Sequence, residues 1–174
     1  MTLGYRPLIS SLDFAPDLFS VRNVRHYTGA ALQGWHVPDD TVEAAVTIVS
    51  ELAANAVRHA GAAEGTEPAA GRPGSEACTV VLQLWPDRVC VLVWDHNRRP
   101  PVLQRPSQEA EGGRGLQLVD LLSEAWGYAY KEAAPGKVVW SHIPLPDLAE
   151  LEPASAPKGL SAPTSELVRS ESNG

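Results

Sequence analysis

Read from its N-terminus, the chain switches between hydrophobic periods of two and of about 3.6 residues. Apolar positions around Ser10, Ser11 and Asp13 predict an edge strand over Ile9–Phe14. Pro16 and Asp17 suit the first turn of a helix, and Val21, Val24, Thr28, Ala31 and Leu32 continue it at helical spacing as far as Gly34. Asp39 or Asp40 can cap a second helix, in which Val42, Ala45, Val46, Val49, Leu52, Ala53, Ala56, Val57 and Ala60 share one broad stripe. Cys78–Leu84 and Val89–Asp95 read as a hairpin about Trp85-Pro86-Asp87-Arg88. A turn tip at Pro86 and Asp87 sets Leu84 opposite Val89, Leu82 opposite Val91 and Val80 opposite Val93. Gly112-Gly113-Arg114-Gly115 opens a helix through Leu116, Leu118, Val119, Leu121 and Leu122. A second hairpin follows, from Trp126–Tyr130 to Lys137–Ile143 about Ala134-Pro135-Gly136.

Between these elements the periodicity dissolves. Residues 61–76 are rich in Gly, Ala, Pro and Glu and read as a mobile surface loop. Residues 96–112, with prolines at 100, 101 and 106, read as an irregular lid whose Arg98, Arg99 and Arg105 could meet phosphate or simply keep it soluble. Residues 1–7 read as a flexible start. The stretch 144–174 is a Pro-, Ser-, Ala- and Glu-rich tail with scattered leucines, expected to be disordered or loosely docked. One domain, 8–143, is left to hold the core.

Composition narrows the function classes. The 174 residues are 44% hydrophobic with a net charge of −7, so one globular domain is affordable and duplex nucleic acid is an unfavoured partner. No apolar run reaches the ~18 residues of a membrane span, and Met1–Pro7 lacks a signal-peptide layout, so a cytoplasmic location is expected. Cys78 and Cys90 fall on opposite faces of their hairpin, which argues against a disulfide between them.

Three features carry candidate chemistry. Glu51 and Asn55 stand one helical turn apart, nearly opposite the centre of the apolar stripe. Such a face is either solvated or the wall of a cleft; Ala44, Thr47, Ile48 and Ala54 share it, and that composition suits a cleft. Asp95 ends a strand on its apolar face, where a carboxylate costs several kcal/mol unless hydrogen-bonded or hydrated. It either caps a loop or awaits a ligand. The glycines before Leu116 let a backbone approach an anion at a helix N-terminus. No GxxxxGK[ST] sequence is present, and the GxGxxG pattern fails for want of a third glycine and a preceding strand.

In this order the boxes resemble those of the GHKL superfamily of ATP-binding domains, shared by gyrase and histidine kinases. Glu51-Leu52-Ala53-Ala54-Asn55-Ala56-Val57-Arg58-His59-Ala60 resembles the N box, and Asp95 stands where the G1 box has its adenine-binding acid. Gly113-Arg114-Gly115-Leu116 resembles the G2 box, and Gly136-Lys137-Val138-Val139-Trp140 fits the closing strand. The Asn-Ala-x-x-His-Ala ending and the small single domain are similar to the anti-sigma-factor serine/threonine kinases. The resemblance implies an α+β two-layer sandwich, the Bergerat ATP-binding fold, with a mixed, mostly antiparallel sheet and helices on one face.

It also implies ATP and Mg²⁺ as cofactors. Asn55 would ligate the metal, Glu51 would be the general base, and Asp95 would accept the adenine amino group. Gly113, Arg114, Gly115 and Leu116 would meet the phosphates. His59 would line their end of the pocket, or is an ordinary helix-surface histidine. The implied partners are a sigma factor and an anti-sigma-factor antagonist, in a family whose members are often homodimers. In one respect the chain departs from the pattern: the G1 acid is usually followed by glycines, and His96-Asn97-Arg98-Arg99-Pro100 has none. A regulator that binds proteins but transfers no phosphate is the alternative. The catalytic half of a histidine kinase is disfavoured, since no helical hairpin with a phospho-accepting histidine precedes the domain.

Overall fold

The computed structural model describes residues 6–60, 77–102, 115–130 and 135–146. The expected loop 61–76, most of the lid and the tail beyond residue 146 lie outside them, as do residues 1–5. The elements run β1 (Leu8–Phe14), α1 (Leu18–Gly34), α2 (Asp39–Ala60), β2 (Cys78–Leu84), β3 (Arg88–Asp95), α3 (Gly115–Leu122), β4 (Ala125–Ala129) and β5 (Lys137–Pro144). Among the described residues, no helix is long and apolar enough to cross a membrane.

The five strands form one sheet in the order β1-β2-β3-β5-β4. Every pairing is antiparallel, so the sheet is not mixed as expected. The reason lies in the second hairpin: β5 inserts between β3 and β4, leaving β4 antiparallel to its only neighbour among the described residues. Burial explains that choice. Val139, Ser141 and Ile143 of β5 are buried, whereas Ala125, Tyr128 and Ala129 of β4 are exposed. The β2–β3 register has Leu84 opposite Val89, Leu82 opposite Val91 and Val80 opposite Val93, as the turn predicts. Trp85 N–H donates to the Arg88 carbonyl at 2.9 Å and closes that turn. Cys78 and Cys90 are both free thiols.

The helices pack on one face of the sheet over Val80, Leu82, Val91, Val93 and Val139. Asp17 caps α1 by accepting the Ser20 N–H at 2.7 Å, which leaves Pro16 just outside the helix. At the far end the left-handed residue is His36, at φ 58°, and not Gly34. In α2 the first carbonyl to accept is that of Pro38, from Val42 N–H at 3.0 Å, so Asp39 and Asp40 occupy the first turn and favour its dipole.

The buried surface of α2 is wider than its apolar stripe. Ile48, which the helical wheel puts with Glu51 and Asn55, is fully buried, and Ala44 packs against the core.

Candidate functional site

Glu51 and Asn55 are both half-buried, on the shoulder between the buried stripe of α2 and solvent. The start of α3 lies against this shoulder. A side-chain carbon on Gly115 would overlap the Glu51 carboxylate, so any other residue there would push that carboxylate aside. Leu116 and Val119 then anchor α3 in the core. The pattern-derived residues Glu51, Asn55, Gly115 and Leu116 therefore belong to one helix pair. Gly113 and Arg114 lie outside the described residues. His59 is within α2, but its side chain is outside them too.

Asp95 ends β3 with its carboxylate only 4% exposed, and the structure supplies a partner that the sequence reading did not. Lys137, the first residue of β5, is its register partner and equally buried. The Lys137 ammonium donates to both Asp95 oxygens at 2.9 Å and to the Asn97 carbonyl at 2.8 Å. Asn97 N–H donates to Asp95 Oδ1 at 2.8 Å, an Asx-turn of the kind expected of a strand-end acid. Of the two roles left open for this carboxylate, the structure shows the loop cap, and Lys137 is a further partner that the sequence reading did not name. Its Oδ2 accepts from Lys137 alone among the described residues, so one acceptor position remains there.

The signal for Lys137 was present in the alternation of its strand. Lys137, Val139, Ser141 and Ile143 share the core face, so a cation stands on the same face as Asp95. Gly136 makes the approach feasible. It sits at φ 96°, and a side chain there would run into the Asp95 carbonyl. The Cys78 thiol feels this neighbourhood: burial, and then the Asp95 charge, push it up to about 11, while Lys137 pulls slightly the other way.

The arrangement can be weighed against the groups the boxes imply. Asn55 has no side-chain hydrogen bond among the described residues and stands one turn beyond Glu51. A single carboxamide is compatible with Mg²⁺, which takes few protein ligands and completes its shell with water and phosphate oxygens. Gly115 adds no side chain at the start of α3, where the Glu51 carboxylate lies close. The residues present fit a metal–nucleotide pair.

Comparison with known families gives one decisive match, to the histidine kinase-like ATPase domain over residues 14–142. The chain belongs to that family. The match takes in α1, α2, β2, β3, α3, β4 and β5 as far as His142, and with them Glu51, Asn55, Asp95 and Lys137. The histidine kinase-like domain is an ATP-binding fold, and its α+β layering is the one described above. No curated protein matches the chain.

Proposed function

We propose that this histidine kinase-like ATPase domain binds Mg·ATP and phosphorylates a serine on an anti-sigma-factor antagonist, acting as an anti-sigma factor when free. The observation that carries the reading is the meeting of Glu51 with the α3 N-terminus at Gly115, one turn from Asn55. In it, Asn55 holds the metal through its carboxamide oxygen. Glu51 takes the proton of the seryl hydroxyl and orients it. Backbone N–H groups of Gly113, Arg114, Gly115 and Leu116 bind phosphate, with His59 at the edge, and Asp95 receives the adenine amino group. ATP supplies the phosphoryl group, and the protein's task is positioning and charge stabilisation.

A protein partner has a surface to meet on α1. Leu18, Val21, Arg22, Arg25, His26 and Gly29 line an open groove of about 750 Å³, and Phe19, which follows Leu18 in the helix, is 87% exposed. In a chain of net charge −7 this cationic and apolar groove suits an acidic segment of a sigma factor or antagonist.

The second reading is a regulator that binds proteins without phosphotransfer. The absence of glycine from 96–100 and the engagement of Asp95 by Lys137 favour it. Calorimetric titration with ATP, with and without Mg²⁺, followed by incubation with antagonist, separates the two. ATP binding with phosphoserine supports the kinase. ATP binding with no phosphoserine at any concentration leaves the regulator, and no ATP binding overturns both nucleotide roles. Glu51→Ala is expected to keep the nucleotide and lose transfer.

A further inference from the structure

The first residues of the lid are held from two sides by side chains outside the recognised boxes' ligand sets. From β5, the Lys137 ammonium places its three donors on Asp95 Oδ1, Asp95 Oδ2 and the Asn97 carbonyl. From the end of β4, the Tyr130 hydroxyl donates to the Arg98 carbonyl at 2.9 Å, and the Arg98 guanidinium lies 5.0 Å from the centroid of the Tyr130 ring. Within the segment, Asn97 Oδ1 accepts the Arg99 N–H at 2.8 Å. Successive backbone units at 97, 98 and 99 are thus each tied down, where a glycine-bearing loop would rely on conformational freedom.

We propose that Lys137 and Tyr130 are positioning residues for the nucleobase. They fix the Asp95 carboxylate and the 97–98 backbone so that the remaining acceptor of Oδ2 selects a purine with a 6-amino group over one with a 6-oxo group. This rests on the reading that Asp95 receives the base. Lys137 holds the buried carboxylate in one orientation through both of its oxygens, and a fixed acceptor discriminates between a donor and an acceptor at the same position. Tyr130 secures the next residues, so that the base meets a preset edge and little ordering remains to be done on binding.

The test is calorimetric binding of Mg·ATP and Mg·ITP, nucleotides that differ in the purine 6-substituent and in the N1 proton that accompanies the 6-oxo group, to the full chain. The wild type is expected to prefer ATP by about tenfold or more, the size of a hydrogen bond to a charged group. Tyr130→Leu loses the hydroxyl and the ring and is expected to reduce that preference at least threefold, chiefly by weakening ATP. Tyr130→Phe keeps the ring under Arg98 and falls between. Tyr130 is 42% exposed, so its variants are expected to fold, checked by an unchanged Tm. Lys137→Arg is expected to restore most of the preference that Lys137→Met removes.

Equal weakening of both nucleotides by Tyr130→Leu would mean a merely structural role and overturn the proposal. Tighter ATP binding in Lys137→Met would overturn it too, by making the lysine a competitor of the base. A wild type that binds both nucleotides equally removes the selectivity but leaves nucleotide binding standing, whereas one that binds neither removes both.

Discussion

Asp95 and Lys137 are each 4% exposed, and neither could be buried alone without losing several kcal/mol. Lys137→Met is therefore expected to destabilise the domain by about 3–5 kcal/mol in urea unfolding, by stranding the carboxylate. Replacing both, as Asp95→Leu with Lys137→Met, should recover most of that loss; an additive double variant would show that the pair is not coupled. Thr28 is the opposite case. Its hydroxyl is fully buried with no hydrogen-bond partner among the described residues, so Thr28→Val should stabilise the fold by about 1 kcal/mol, read as a higher Tm. The Cys78 thiol is held up to about 11 by burial and the Asp95 charge, against an ordinary value of 9.0. A pKa raised on folding contributes stability that is full below pH 9 and fades as pH climbs towards 11. Unfolding titrations of the wild type should lose stability across that window, and Cys78→Ala should lose less. Of these residues only Asp95 stood out in the sequence. Its charge on an apolar face was visible, but its partner lies 42 positions away and becomes a neighbour only through strand register.

At the scale of elements, what was legible depended on whether the signal was local. The β2–β3 register follows from a turn only Pro86 and Asp87 long, and it was read correctly to the residue. The burial of Ile48 was not, because a helical wheel knows the angle of a residue but not that α3 and the sheet close over both sides of α2. Sheet order was hidden for the same reason: chain order does not tell whether β4 or β5 lies against β3. Gly115 gave a half-signal, since a glycine before a helix suggested an anion site, while its contact with Glu51 required the packing of α3 on α2. Gly115→Ala forces the Glu51 carboxylate aside. It is expected to weaken Mg·ATP binding and abolish any phosphotransfer while lowering Tm by only a few degrees. A variant with unchanged nucleotide affinity would separate Glu51 and α3 functionally.

The whole molecule includes a strand that the family match almost leaves out. The match begins at Phe14, the last residue of β1, yet β1 pairs with β2 along its full length from Leu8 opposite Leu84 to Phe14 opposite Cys78. Side chains tie it down as well: Ser10 and Tyr27 share a hydroxyl hydrogen bond, and Thr79 donates to Asp13 at 2.7 Å. Leu12 packs against the core and Phe14 is buried within it. A chain begun at Phe14 would therefore keep every box of the ATP site but lose Leu12 from the core and uncover the outer edge of β2. That edge alternates Cys78, Val80 and Leu82 with Thr79, Val81 and Gln83, and an unpaired apolar edge recruits other strands. The shortened chain is expected to unfold at lower temperature and to self-associate in sedimentation, at unchanged nucleotide stoichiometry for its folded fraction. A monodisperse product of wild-type Tm would instead make β1 an ornament of the sheet, and the cooperative unit would then begin at α1.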